Sequence, residues 1–99
     1  MSDTQFQTIY DLAHRAGLNA ANNVAPSSKQ GTAWIVIDHT SEFSLWTKKK
    51  NLSRKGTEEG REINCSKIVG DNFNSKVAYV TAFTKTLQNY GFKATFKIG

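Results

Sequence analysis

The consecutive residues Asp38-His39-Thr40-Ser41 place a carboxylate, an imidazole and two hydroxyls side by side. These are the side-chain types that nucleophilic catalysis uses. Neighbours in a turn point in different directions, so we expect a turn here and not a catalytic triad. The chain has no glycine-rich phosphate loop, no metal-ligand spacing and no G-x-S-x-G motif. We therefore expect a protein that is not an enzyme and holds no cofactor or metal.

The whole chain has a formal net charge of +5, and its positive charge is concentrated in the C-terminal half. Such an asymmetry favours an anionic partner, nucleic acid first and an acidic protein surface second. A net charge of this size is equally compatible with an ordinary soluble domain. Residues 48–61 contain six basic residues and only two acidic ones, Glu58 and Glu59. The basic residues are Lys48, Lys49, Lys50, Arg54, Lys55 and Arg61.

Two tryptophans, Trp34 and Trp46, precede this basic segment. If Trp34 points to an open face of a sheet, it lies near Lys93 and Lys97. Aromatic rings beside lysines on an open sheet stack bases and hold phosphates in single-strand binders. The competing interpretation is that Trp34 belongs to the core under a loop.

The remaining reactive residue types give weaker signals. Cys65 is the only cysteine, which excludes an internal disulfide and suits a reducing compartment. We expect it to be a small buried packing residue, and His14 to be a surface or boundary residue. The chain shows neither a signal peptide nor an apolar stretch of the roughly 18–20 residues that span a bilayer. We therefore expect a cytoplasmic protein with no membrane partner.

Periodicity predicts the elements that position these residues. Apolar side chains at three-to-four spacing predict helices over Asp3–Asn22, with a face rich in Ala and Gly, and over Lys76–Tyr90. Strands are predicted at Thr32–Asp38, which is apolar on both faces and hence central, at Glu62–Val69, and at Phe92–Ile98. Residues 51–60 are polar with two glycines, which indicates a mobile basic loop.

The ends of the two long helices carry signals of their own. Ser2 with Gln5, or Asp3 as a simple cap, can satisfy the first free N–H groups of the first helix, and Asn74 or Ser75 can cap the second. The sequence Asn89-Tyr90-Gly91-Phe92 predicts the end of the second helix, with Gly91 in the left-handed conformation and Phe92 folded back on the last turn.

Residues 41–50 are ambiguous. As a strand, Phe43–Thr47 would bring Trp46 near Trp34 on one face of the sheet. As a helix, Ser41 would cap the N-terminus and the lysines would lie at the C-terminal end, where the helix dipole favours positive charge. Local chemistry slightly favours the helix.

The predicted architecture is a single α+β domain over residues 1–99, in the order α-β-(short α or β)-β-α-β. A small antiparallel or mixed sheet of three to four strands carries two long helices on one face. If the strand at Phe92–Ile98 lies at the edge of the sheet, it could pair with the same strand of a second copy, so a homodimer is one possible state of the protein.

Three segments carry a resemblance, namely GTAWIVI, SEFSLWTKK and KVAYVTAFTKTLQNYGF. They resemble the patterns G-x-A-W-V-x-I, S-P-F-x-x-W-L-K-K and K-x-A-Y-x-x-A-F-x-x-x-L-x-x-x-G-I of a family of small uncharacterised phage-encoded proteins. The resemblance covers Gly31 to about Ala94 and consists mostly of core-type residues, so it implies a shared fold and assigns no site residues. The family has Pro where this chain has Glu42, which is typical of a helix start.

These observations predict a small basic phage-type protein that binds nucleic acid non-enzymatically in the host cytoplasm. The alternative is a host-directed interaction factor or inhibitor, for example of a bacterial defence or transcription complex, that meets an acidic or nucleic-acid-binding host protein. Both hypotheses have the same candidate contact residues, namely Lys48, Lys49, Lys50, Arg54, Lys55, Arg61, Lys93, Lys97, Trp34 and Trp46.

Overall fold

The computed structural model describes residues 2–56 and 60–99, with the backbone alone for Ser66 and Lys67. The predicted α+β class is confirmed, with one four-stranded antiparallel sheet. In chain order the elements are α1 (Asp3–Asn22), β1 (Ala33–Ile37), α2 (Glu42–Lys49), β2 (Arg54–Lys55), β3 (Arg61–Asn64), α3 (Ser66–Val69), α4 (Phe73–Asn89) and β4 (Ala94–Ile98).

The sheet has the strand order β2-β3-β1-β4, so β1 pairs on both sides. Ile35 lies opposite Ile63 of β3 and Phe96 of β4. Because side chains alternate along a strand, Ala33, Ile35 and Ile37 face the core and are fully buried. The continuous apolar sequence of β1 correctly predicted its central position.

Helices α1 and α4 pack together on this core face of the sheet. A Cβ atom added at Gly17 of α1 would lie 2.6 Å from a ring carbon of Tyr79, which is fully buried in α4. The Ala- and Gly-rich face predicted for α1 therefore permits an approach that a larger residue would prevent.

We expect Gly17→Val to lower the free energy of unfolding by about 1–3 kcal/mol, because the side chain would overlap the Tyr79 ring. The change is measured by urea denaturation followed by circular dichroism. Asn19→Val places the same side chain at an exposed position of α1 and should change stability by no more than about 0.5 kcal/mol. Equal effects of the two variants would contradict this account of the helix contact.

The short helix favoured for residues 41–50 is confirmed as α2. Ser41 is its N-cap, and the Ser41 Oγ accepts a hydrogen bond from the backbone N–H of Ser44 at 3.1 Å. The ring of Phe43 stacks on Phe92 at 4.7 Å and on Trp46 at 5.7 Å between ring centres. This aromatic cluster attaches α2 to the end of α4 and to α1.

Helix α4 begins earlier than predicted and ends as predicted. Asn72 is its N-cap and accepts from the N–H of Asn74, so Asn74 and Ser75 lie inside the first turn. At the other end Gly91 has a φ of +85°. The N–H of Phe92 donates to Leu87 O, which is the predicted glycine-terminated helix end.

Two predictions between α2 and α4 need correction. The strand expected at Glu62–Val69 ends at Asn64, because the carbonyl of Cys65 accepts from the N–H groups of Ile68 and Val69 and starts the helical turn α3. Within the predicted loop at 51–60, residues 54–55 pair with β3 as β2. Residues 57–59 of that loop lie outside the described residues.

Candidate nucleic-acid interface

Three of the predicted cations converge on one cavity. Lys48 lies in the last turn of α2, and Lys55 and Arg61 are cross-strand partners in the β2–β3 hairpin. Together with His39, which follows β1, they line a cavity of about 480 Å³ that we call the basic pocket. The pocket thus joins residues from three parts of the chain.

The guanidinium of Arg61 is held in place from one side. Its Nε–H donates to Ser53 Oγ at 2.8 Å and its Nη2 donates to Ser53 O at 3.0 Å. The Ser53 hydroxyl in turn lies 2.8 Å from Thr47 Oγ1, which is buried in α2. Arg61 has five N–H donors, so the donors that Ser53 does not use can contact a ligand.

The charges of the basic pocket are not neutralised within the described part of the chain. No carboxylate there forms a salt bridge with Lys48, Lys55 or Arg61. Lys48 and Lys55 are exposed. A cavity lined by cations that have no acidic partner among residues 2–56 and 60–99 attracts anions, and phosphate groups fit such a site.

Besides Gly56 and Gly60, which have no side chain, sequence reasoning missed two residues of the basic pocket, His39 and Leu45. Leu45 is 52% exposed although it is a large apolar residue. It lies two positions after Phe43 and one before Trp46, so the helical period places it away from their buried face. The helical period could have predicted that Leu45 is exposed. That prediction requires residues 42–49 to be assigned as a helix, and the sequence left this assignment ambiguous.

A second group of predicted residues lies on the opposite face of the sheet. The Nζ of Lys97 lies 5.3 Å from the ring centre of Trp34. Trp34 is half-buried on this face, which agrees with the open-face alternative and not with the interpretation of Trp34 as a core residue. Lys97 also forms a salt bridge with Glu62, and Arg54 Nη2 lies 3.4 Å from the other Glu62 oxygen. Lys97 therefore covers the tryptophan ring, and Glu62 offsets the charge of both cations.

The two groups cannot form one flat surface. Arg61 pairs with Ile37 and Lys55, so its side chain points to the helix-bearing side of the sheet, while Trp34 and Lys97 point to the other side. A bound strand would have to pass around the edge at β2 to touch both. The basic pocket is therefore the candidate site, and Trp34 lies apart from it.

The prediction that Trp46 stacks on a base is wrong. Trp46 is 4% exposed, and its indole N–H donates to Asp3 Oδ1 at 2.7 Å. Of the neighbouring lysines, Lys50 lies 3.6 Å from the same Asp3 oxygen, and Lys49 is exposed but does not line the basic pocket. Successive helix residues point about 100° apart, which separates the three lysines.

Lys93 does not line the basic pocket and lies beside Asp38, whose backbone N–H donates to Lys93 O. The Asp38 carboxylate accepts from the N–H and hydroxyl of Thr40 at 2.9 and 2.7 Å, and these bonds, with Lys93 adding to them, lower the pKa of Asp38. Ser41 donates to Asp38 O and caps α2. The acid and hydroxyls near His39 thus form the turn predicted for them.

His14 has a partner that the sequence did not indicate. Its Nδ1 lies 2.7 Å from the hydroxyl of Tyr79, 65 positions away in the chain, and burial raises the pKa of Tyr79.

Cys65 is confirmed as a buried packing residue. Its Sγ lies 3.4 Å from Ala33 O, and burial raises the pKa of the thiol.

Comparison of the chain with protein-family models, with curated proteins and with solved structures finds no match. The resemblance to phage-encoded proteins therefore stays a prediction. Among residues 2–56 and 60–99, His, Cys, Asp and Glu side chains form no group of three or more that could hold a metal ion. Within the same residues, no helix has both the length and the apolar character needed to cross a membrane.

The contact between Lys97 and Trp34 gives a prediction. In a Trp46→Phe background, where Trp34 is the only tryptophan, we expect Lys97→Ala to increase quenching of the fluorescence by acrylamide, because the ring loses its cover. The free energy of unfolding should fall by about 1–3 kcal/mol, because the buried carboxylate of Glu62 keeps Arg54 but loses Lys97 as a partner. Lys93→Ala is the matched control, because Lys93 is an exposed lysine just before β4. Equal quenching in the two variants would show that Lys97 does not shield the ring.

Proposed function

We propose that this protein binds nucleic acid non-enzymatically and that the basic pocket is its phosphate-binding centre. The observation that carries the proposal is the convergence of Lys48, Lys55 and Arg61 on one cavity, with no salt-bridge partner among the described residues. Cations that replace condensed counterions on phosphates supply most of the affinity of such binding.

Each cation has a distinct role in the proposal. Lys48 and Lys55 have long, exposed side chains, so their ammonium groups can contact phosphates at different positions around the cavity. Arg61 is oriented by Ser53, so its guanidinium gives a contact of fixed orientation in the cavity wall. The imidazole of His39 and the exposed side chain of Leu45 offer less polar surface to a sugar or base.

Nothing in this arrangement selects a base sequence, because the contacts are to phosphates. We therefore propose binding with little sequence preference. Together with the resemblance to phage-encoded proteins, this suggests a small phage protein that acts in the cytoplasm of its host.

The test is the salt dependence of binding to fluorescein-labelled single- and double-stranded oligonucleotides, followed by fluorescence anisotropy. We expect the logarithm of the binding constant to fall linearly with the logarithm of salt concentration, with a slope of roughly −2 to −3 for about three phosphate contacts. Undetectable or salt-insensitive binding would overturn the proposal.

The exposed Leu45 beside the cations favours a second candidate, a host-directed protein-interaction factor. Partially apolar, positively charged patches also meet acidic or nucleic-acid-binding protein surfaces. A pull-down from host lysate treated with nuclease distinguishes the candidates. A protein that stays bound after nuclease treatment, and that is lost with Lys48→Ala, would support the second.

A further inference from the structure

A second polar cavity lies at the other end of β1, and its most unusual feature is Lys76. The cavity has a volume of about 420 Å³ and is lined by Lys76, Lys29, Asp71 and the loop at residues 27–31. Lys76 is only 7% exposed, and its Nζ donates to Gly31 O at 2.8 Å. We call this space the Lys76 cavity.

The ammonium of Lys76 is incompletely paired. It has three N–H donors, and Gly31 O is the only acceptor that the described residues provide for them. No carboxylate in that part of the chain lies within 4 Å of the Nζ. A buried ammonium with one neutral partner leaves a positive potential in the adjoining cavity.

The position of Lys76 in its helix increases this potential. Lys76 is the fourth residue of the 17-residue helix α4, close to the positive end of the helix dipole, and the first turn contains no acidic residue. Stability alone would favour Asp or Glu there. A lysine there, buried against a cavity and without a carboxylate within 4 Å among the described residues, instead favours an anion in the cavity.

We propose that the Lys76 cavity binds an oxyanion of the phosphate type, with Lys76 as the deep contact and the exposed Lys29 as a second contact. Asp71 lines the same cavity and weakens anion binding by repulsion. The cavity and the basic pocket adjoin Gly31 and His39, at opposite ends of β1, so this proposal does not depend on nucleic-acid binding.

The experiment is a titration of ¹⁵N-labelled protein with inorganic phosphate, followed by two-dimensional NMR. We expect saturable shifts of the backbone amides of residues 27–31 and of the first turn of α4. Lys29→Ala should weaken binding by about tenfold, as the loss of one charge-assisted hydrogen bond implies. Asp71→Asn should strengthen it. Both positions are exposed, so neither variant endangers folding.

Two further arms make the assignment specific. Lys76→Met should abolish saturable shifts, and Lys48→Ala in the basic pocket should leave them unchanged. Tighter binding of a nucleoside 5′-monophosphate than of inorganic phosphate would indicate a nucleotide ligand, and equal binding would indicate the free ion; both support the site. Shifts confined to the basic pocket, or an affinity that Lys29→Ala and Asp71→Asn leave unchanged, would overturn the proposal whether or not the protein binds nucleic acid.

Discussion

The double variant Lys48→Ala/Lys55→Ala is expected to bind single-stranded oligonucleotides at least about tenfold more weakly at low salt, with a salt slope about 1.4 shallower. Both effects follow if each lysine releases counterions from one phosphate. Because both side chains are exposed and unpaired among the described residues, the variant should fold like the parent. The measurement is fluorescence anisotropy at several salt concentrations.

The matched control is Lys49→Ala/Lys85→Ala, which removes the same formal charge at two exposed lysines outside the basic pocket. We expect this control to weaken binding less, because neither lysine lines the basic pocket and so neither contacts a phosphate that is bound there. If both double variants lose affinity equally, net charge alone drives the binding. The basic pocket would then have no special role.

The second large effect is expected for Trp46→Ala, which should lower the free energy of unfolding by about 3–5 kcal/mol. The ring is buried against Phe6 and Phe43, with centres 6.1 and 5.7 Å away, and its N–H is bonded to Asp3. Removing it leaves a cavity where α2 meets α1. Urea denaturation followed by circular dichroism measures the loss, and the melting temperature should fall by at least about 12 °C.

Leu45→Ala is the control for this prediction, because it removes an apolar side chain from the exposed side of the same helix. We expect it to change the free energy of unfolding by no more than about 0.5 kcal/mol. A small effect of Trp46→Ala, similar to that of Leu45→Ala, would show that the indole does not hold α2 in the core. The stacking role rejected above would then regain support.

Much of the fold was predictable because its signals are local. The capping box that Ser2 forms with Gln5 and the three-to-four spacing of apolar residues predicted α1 from Asp3 to Asn22 without error. Gly91 and Phe92 likewise predicted the end of α4. The prediction was wrong where local signals compete. Residues 62–69 have a strand-like sequence, but the strand ends at Asn64 and residues 66–69 form α3.

The candidate site was predictable only in part, because a contiguous basic run does not make a contiguous surface. Lys48 and Lys50 are two residues apart, yet one lines the basic pocket and the other approaches Asp3. Similarly, Arg54 and Lys55 are neighbours that point to opposite faces of the sheet. Residue types alone assigned all of them to one patch.

The sequence by itself therefore determined the α+β class, both long helices, the central strand and the basic character of the C-terminal half. These depend on periodicity, capping and charge, which act within a few residues. Only the tertiary structure decided that Trp46 is buried, that Lys97 covers Trp34, and that Arg61 joins Lys48 in one cavity. Those outcomes depend on strand register and on how α2 docks, and both are set by contacts between residues far apart in the chain.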